Sequence, residues 1–473
     1  MAAAGFEVEP AAGSAQKMTA KSSSRHGRCI QDRLNGARGA ERQNMKQRLW
    51  KAATSLLLIL LIALGARATF AWNQEHKMRA DLVGLVPFLN ETGNIAYSLA
   101  AGHGFSSPYW QETGPTAWLT PVYPALVAGV FRAFGIHTAH SFFAIVFLNI
   151  LFSAATCVPL FYIGKRVGSL AVGAGVAWLW AIFPNAIIIP YEWVWDTSLA
   201  ALLMATILWA TLGLADTASV RAWCGYGLLW GFALMTNPSL GSLLPVLLGW
   251  AAYRAFQQGR LRLSRPLLAC GIAVLCCVPW TVRNYLAFHR FIPLRSNFPF
   301  ELWLGNNEQF DEQSQIVPAA DPERAEIRNY IHMGEAAFMQ DKWRRAIAFI
   351  ETHPRLEITL FGRRFVATWT GMEKPIEGFR DTESPLVRLV LITNTLAAIG
   401  ALCGILTLIW SRNAFAFPLA AGPIVFPVIY YVTHASLRYR HPIDPVVLLL
   451  TAIAIAAMFE KRRGRAEVAS LPC

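Results

Sequence analysis

The sequence predicts an all-α polytopic membrane protein of about 10 or 11 transmembrane helices, with a small, mostly helical extracytoplasmic cap. Three observations predict it. Hydrophobic residues make up 55% of the 473 and charged residues 15%, where a soluble domain carries about a quarter charged. The apolar excess falls in runs of about twenty residues, long enough as helix to cross roughly 30 Å of hydrocarbon. Seventeen Trp and twelve Tyr suit aromatic belts at the two membrane surfaces. The net charge of +13 belongs with this reading rather than with nucleic acid. Much of the Lys and Arg flanks the apolar runs, where it sets topology. Eight Cys lie mostly in apolar segments without metal-ligand spacing and read as small core residues with no disulfide framework.

Residues 1–48 are polar and aperiodic, with nine Lys or Arg against four Asp or Glu. They read as a disordered cytoplasmic tail that orients the first span. A transmembrane module, 49–285, follows. Its first span is about 52–72, and its first outer loop, 73–118, contains Asp81 and Glu91. Within that loop Ile95, Ala96, Leu99 and Ala100 recur at helical spacing, which predicts a short interfacial helix. Apolar runs then occupy 119–135, 141–163, 169–189, 194–214, 223–253 and 266–285. Asn237-Pro238 interrupts 223–253, which reads as one broken span or two, so parity between 119 and 256 stays open. The polar stretch 286–385 has helical spacing at 321–332, 334–351 and 355–369, with a helix-start signal at Asp321-Pro322-Glu323. It reads as the outer cap. Runs at 386–410, 413–433 and 443–459 complete the C-terminal helices of 386–460, and the basic tail 461–473 places the C-terminus inside.

Charged groups at or near spans are costly and therefore candidates for function. Glu91 opens the interfacial helix, where a carboxylate is also an ordinary N-terminal choice; Asp81 competes with it. Asp196 and Glu192 sit in Tyr191-Glu-Trp-Val-Trp-Asp-Thr-Ser198, where either could simply cap the following helix. Pro279-Trp-Thr-Val-Arg-Asn-Tyr285 brings Arg283, a bidentate phosphate clamp or a snorkelling interfacial cation, and Asn284. Leu294 to Asn307 mixes Asn297, Glu301, Trp303 and Asn306 with aromatics, a composition suited to sugars, headgroups or a packed loop. Arg438-Tyr-Arg-His-Pro-Ile-Asp-Pro445 places Arg438, Arg440 and His441 in an outer loop. Such loops usually avoid Lys and Arg, so an anionic ligand is expected. P-loop, zincin, dinucleotide and nucleophile-elbow motifs are missing from the sequence.

In the order of these motifs the chain resembles the C-type, polyprenyl-phosphate-sugar-dependent membrane glycosyltransferases, most of all the bacterial relatives of protein mannosyltransferases and aminoarabinose transferases. The resemblance covers most of 50–460. It rests on an acidic first loop with Ala-x-x-Leu-x-x-Gly-x-Gly-Phe (Ala96 to Phe105) and Pro-x-Tyr-Pro (Pro121 to Pro124). Pro-Trp-x-x-Arg-Asn from Pro279, Leu-Trp-Leu-Gly-Asn from Leu302 and Arg-Tyr-Arg-x-Pro from Arg438 follow in order. It implies an inverting transferase moving a sugar from a polyprenyl-phosphate donor to an acceptor hydroxyl on the outer face of the cell inner membrane. Glu91, or else Asp81, would be the general base; relatives often carry Asp a few residues earlier, where this chain has Phe88. Arg283, Arg438, Arg440 and His441 would hold the donor phosphate. Asp196, Glu192, Asn284, Asn297, Glu301, Trp303 and Asn306 would line the substrate site. Implied partners are the lipid donor, the membrane and an acceptor lipid, protein or polysaccharide, with no nucleic acid. No cofactor is identified; some members use a divalent metal, and the sequence picks out no ligands for one. A transporter or flippase of lipid-linked sugars, or a non-catalytic subunit of an envelope-polysaccharide complex, is the competing expectation.

Overall fold

A computed structural model describes residues 47, 50–75, 88–109, 111–192, 194–214, 216–217, 219–259, 262–307, 325–372 and 375–469, the last eight as backbone alone. Asp81, the tail 1–48 apart from residue 47, and the helix-start signal at 321–323 lie outside these residues. Residues 1–55 form one unit, described only as a short helical stretch about Trp50 to Ala53; everything below concerns the second, 56–473.

Among its described residues that unit is helical nearly throughout. The helices are α1 (Leu56–Glu75), α2 (Glu91–Ala101), α3 (Val122–Phe134), α4 (Ala139–Ala155), α5 (Cys157–Val167), α6 (Leu170–Ile182) and α7 (Pro184–Glu192). There follow α8 (Thr197–Leu214), α9 (Val220–Thr236), α10 (Leu244–Gln257), α11 (Ser264–Phe288) and α12 (Phe298–Gly305). The polar stretch then supplies α13 (Ala325–Met333), α14 (Glu335–Thr352), α15 (Pro354–Thr370) and α16 (Pro375–Asp381). The chain ends with α17 (Pro385–Trp410), α18 (Ala416–Val425), α19 (Val428–Val432), α20 (Leu437–Arg440) and α21 (Asp444–Ala469).

Among the described residues six helices are long and apolar enough to cross a membrane: Leu56–Gln74, Ala139–Val167, Thr197–Leu214, Ser264–Phe288, Pro385–Trp410 and Leu437–Lys461. A seventh is gained if α6 and α7, bent by 44°, count as one span. The 10 or 11 read from apolar runs is therefore too many by this measure. Hydropathy does not register backbone breaks. The run 119–135 holds only the 13 residues of α3, and 413–433 is a shorter apolar helix, Ala416–Val432. The run 223–253 stops at Asn237, passes through a 3₁₀ turn over Pro238–Leu243 and resumes as α10.

With lipid as solvent, helices associate through close backbone packing at small residues. α17 lies on α21 and α9 on α11. At Gly404 an added Cβ would collide with the Leu450 carbonyl, and at Gly227 with the Ala269 carbonyl at 2.5 Å. A buried cation fixes the bend between α6 and α7. Arg67 of α1 donates to the carbonyls of Trp180 and Ala181 at 3.1 Å each, and to Ser153 Oγ at 2.8 Å. It thereby adds donors to carbonyls of the last turn of α6, where Trp180 otherwise accepts from the Phe183 amide at 3.4 Å.

Candidate active site

The first loop is built to present Glu91. Asn90 Oδ1 accepts from the Gly93 amide at 3.0 Å and so caps α2. The carboxylate next to it is thereby left for another role. Gly102, at φ 89°, ends the helix in the left-handed conformation. Phe88 anchors the entry by an edge-on contact with Phe131 of α3, centroids 4.8 Å apart. From Glu91 the wall continues round a cavity of about 1100 Å³, at the large end for small-molecule sites.

Asp196 faces this cavity just ahead of α8. The Asn-Pro break supplies its partner: Asn237, freed from helix, donates to Asp196 Oδ2 at 2.9 Å while accepting from the Ser239 amide at 3.1 Å. Arg295 donates to Ser239 Oγ at 3.3 Å. Glu301 Oε1 accepts from Asn297 at 3.0 Å; its Oε2 accepts from Tyr439 at 3.3 Å and lies 3.6 Å from His434 Nε2. The Arg438 guanidinium lies 4.0 Å from the centre of the Trp195 ring and donates to Tyr439 Oη at 2.8 Å. Tyr439 in turn stacks on Tyr430, centroids 4.9 Å apart. All of these residues line the one cavity except Ser239.

Burial lifts the Glu91 carboxyl above the usual carboxylate range, Arg438 opposing and Glu301 reinforcing the shift. Burial also raises Asp196, against the pull of Arg295, the Asn237 hydrogen bond and Arg438. It lowers His434. The cavity thus holds carboxylates of raised proton affinity opposite two guanidiniums. An aromatic wall, including Tyr109, Trp118 and Phe300, surrounds them. That combination can bind an oxyanion and accept a proton in the same chamber. Among the described residues no three His, Cys, Asp or Glu side chains converge as metal ligands.

The structure brings together Glu91, Glu192, Asp196, Asn297, Glu301 and Arg438 in this cavity. It places Arg283, Asn284, Trp303, Asn306, Arg440 and His441 elsewhere. Arg283 donates to the carbonyls of Thr116 at 2.6 Å and Phe105 at 2.5 Å and packs on the Trp280 ring at 5.0 Å. Asn284 donates to the Ile292 carbonyl. Trp303 is buried against Lys342, and Asn306 donates to the carbonyls of Leu302 and Val432. Arg440 is buried, 2.8 Å from Asp444 Oδ1 and from the Trp369 carbonyl. His441, 3.1 Å from Asp444 Oδ2, stacks on Trp180. Arg283, Arg440 and His441 therefore do not line the cavity; each carries packing instead.

Sequence reasoning missed Arg295, Asn237, Trp195 and His434. Asn237 was visible as a helix break, but its donor role depends on where α8 begins. It also missed Glu335, the first residue of α14. This buried carboxylate accepts from Thr116 Oγ1, the Ala117 amide (2.8 Å), Ser296 Oγ (2.6 Å) and Tyr330 Oη (2.7 Å). It binds the first loop, the segment carrying Arg295 and Asn297, and α13 at one point. Glu335→Ala leaves several buried donors unpaired, each costing about 1–3 kcal/mol. The variant is expected to melt well below wild type in detergent, while Glu335→Gln recovers most of the loss.

The chamber sits at the helix ends of the bundle, its apolar wall set with carboxylates and guanidiniums. The comparisons with known proteins bear on the sequence and on this fold. Residues 119–282 match the family described as dolichyl-phosphate-mannose-protein mannosyltransferase. Among solved structures the fold is similar to the Archaeoglobus fulgidus oligosaccharyltransferase in its apo form (TM-score 0.51, 13% identity, 89% of this chain and 52% of that one). It is similar too to the A. fulgidus oligosaccharyltransferase AglB in complex with an inhibitory peptide and a dolichol-phosphate (TM-score 0.50, 13% identity, 90% and 52%). ArnT from Cupriavidus metallidurans matches at a TM-score of 0.33, with 15% identity over 82% of this chain and 78% of that one. At such identities the likeness is one of fold, and the chain spans about half the length of the oligosaccharyltransferases it matches. No curated protein sequence matches the chain.

Proposed function

We propose that this chain is an inverting glycosyltransferase. It would move a sugar from a polyprenyl-phosphate donor to an acceptor hydroxyl on the outer face of the cell inner membrane, both termini being cytoplasmic. The observation that carries the reading is the meeting of Glu91, Arg295 and Arg438 in one cavity walled by spans and loop helices. The acceptor hydroxyl gives its proton to Glu91 as its oxygen attacks the anomeric carbon from the face opposite the leaving group. The bond from that carbon to the phosphate oxygen breaks, and its electron pair leaves on the polyprenyl phosphate. Arg438 and Arg295 stabilise the released negative charge. One displacement inverts the centre, with no covalent enzyme intermediate. Glu301 and Asp196 are the groups available to bind sugar hydroxyls.

The test supplies purified protein with radiolabelled polyprenyl-phosphate sugars and a membrane extract as acceptor source. Transfer of label is expected, and no transfer from any such donor would overturn the reading in favour of a flippase or scaffold. Removing one charge-assisted contact costs about 1.5–3 kcal/mol, so Arg295→Gln is expected to weaken binding of polyprenyl phosphate by roughly tenfold or more. Binding unchanged in that variant would remove Arg295 from the anion site.

A further inference from the structure

α15 does not have the surface of a helix in water. Ile358, Phe361 and Phe365, three and four residues apart, share one face, and all are exposed, Ile358 by 75%. Its other face is buried through Leu360, Arg364, Ala367 and Thr368, against α17, α19 and α20. α16 continues the pattern with Ile376, 84% exposed, and Phe379. Three residues later the chain enters α17, whose outward residues Leu386, Leu389, Ile392 and Leu396 are those of a span. Arg388, near the start of α17, donates to the carbonyls of Phe379 (3.2 Å) and Thr382 (2.7 Å). The apolar face of α16 is thus tied directly to the lipid-facing surface of α17. Arg355 and Arg380 are exposed at either end of the pair, Arg380 lying 2.9 Å from Asp381 Oδ1, a partner that headgroup phosphates would compete with.

We propose that α15 and α16 lie in the membrane interface and that their partner is the lipid surface itself. The stripe Ile358, Phe361, Phe365 and Ile376 would sit at the acyl-chain boundary, with Arg355 and Arg380 at headgroup phosphates. A helix with one apolar face outward and cations at its edges is the form that binds a bilayer in its plane. In water the same stripe would invite association, and its continuity with α17 selects lipid over a second copy. The placement has a consequence for the cavity. From the inner face of α15, Arg364 donates to the carbonyls of Gly305 and Val432 (2.9 Å) and to Asn306 Oδ1. Thr433 and His434, next in the chain, line the cavity. The helix in contact with lipid therefore also braces the cavity wall. This goes beyond the proposed transfer reaction and does not depend on it.

The test places a benzophenone side chain at 358, at 376 and, as a control, at the exposed position 351 of α14 in the full chain. The chain is held in nanodiscs of phosphatidylethanolamine and phosphatidylglycerol, and the adducts are read by mass after illumination. Lipid adducts are expected at 358 and 376 and few at 351. Adducts to a second copy of the chain, or none to lipid at 358 and 376, would overturn the proposal. In Arg355→Gln/Arg380→Gln the phosphatidylglycerol share of the adducts is expected to fall towards its share in the bilayer. An unchanged share would overturn the headgroup assignment.

Discussion

Glu91→Gln is expected to lower sugar transfer by about 10²–10⁴-fold, the contribution of a positioned general base, while binding of polyprenyl phosphate stays near wild type. The amide keeps the shape of the side chain and loses the proton acceptor. The geometry makes this a sharp expectation, because Asn90 already caps α2. The Glu91 carboxylate is therefore not needed to terminate the helix, and a folded variant should result. The same burial gives the pH dependence a sign. Burial raises the Glu91 carboxyl, so its basic form is lost as pH falls through that raised value. The acid limb of the rate should sit above the pH near 4.3 at which an ordinary glutamate titrates. Glu91→Gln should abolish that limb along with the rate. Asp81→Asn, measured beside it, tests the competing base; a loss confined to Asp81→Asn would transfer the role to that residue.

Arg440→Met is expected to destabilise the protein by about 3–5 kcal/mol, the cost of leaving one member of a buried ion pair without its partner. Arg440 and Asp444 are both fully buried, 2.8 Å apart. Asp444 also accepts from Asn185 at 3.3 Å, and Asn185 reaches Asn394 of α17 at 2.9 Å. The pair therefore joins α7, α15, α17 and the start of α21. Loss of yield and a lowered melting temperature in detergent are the readouts. Arg440→Met/Asp444→Leu should recover part of the loss, since no lone charge remains. An Arg440→Met protein that melts like wild type but fails to bind polyprenyl phosphate would return Arg440 to the anion-binding role its sequence context suggests.

The contrast between Arg438 and Arg440 shows what the sequence carries and what it does not. Two arginines in one motif look equivalent when read as composition. Residues two apart on a helical turn do not share a face, so Arg438 enters the cavity and Arg440 the bundle interior. Glu91 and Asp196 could be singled out because a carboxylate beside a membrane is costly, and Glu301 because it stands in a polar stretch rich in aromatics; each does reach the cavity. Arg283 passed the same filter and does not, because cost marks a charge that needs partners without saying whether protein or substrate supplies them. The helical, membrane-spanning character was legible from hydropathy. The break at Asn237-Pro238 was legible too, whereas the one at Phe183, which divides 169–189 into α6 and α7, leaves the apolar run intact. Glu335 carries no local signal: it starts a polar helix like many others, and its meaning lies in partners far away in the chain.

That distance bears on how the cavity comes to exist during synthesis. Thr116 and the Glu335 carboxylate that accepts its hydroxyl hydrogen bond are 219 residues apart. A chain emerging from its N-terminus therefore carries the Thr116 and Ala117 donors through the making of α3 to α13 before α14 arrives. Contacts of such sequence separation form late, since the loop-closure entropy comes due before they contribute. Chains truncated just before 335 would carry every helix through α13 yet lack the knot that ties the first loop to the segment bearing Arg295. The chamber is in this sense a product of nearly the whole translation, and a ribosome halted before α14 would hold a bundle with an untied wall.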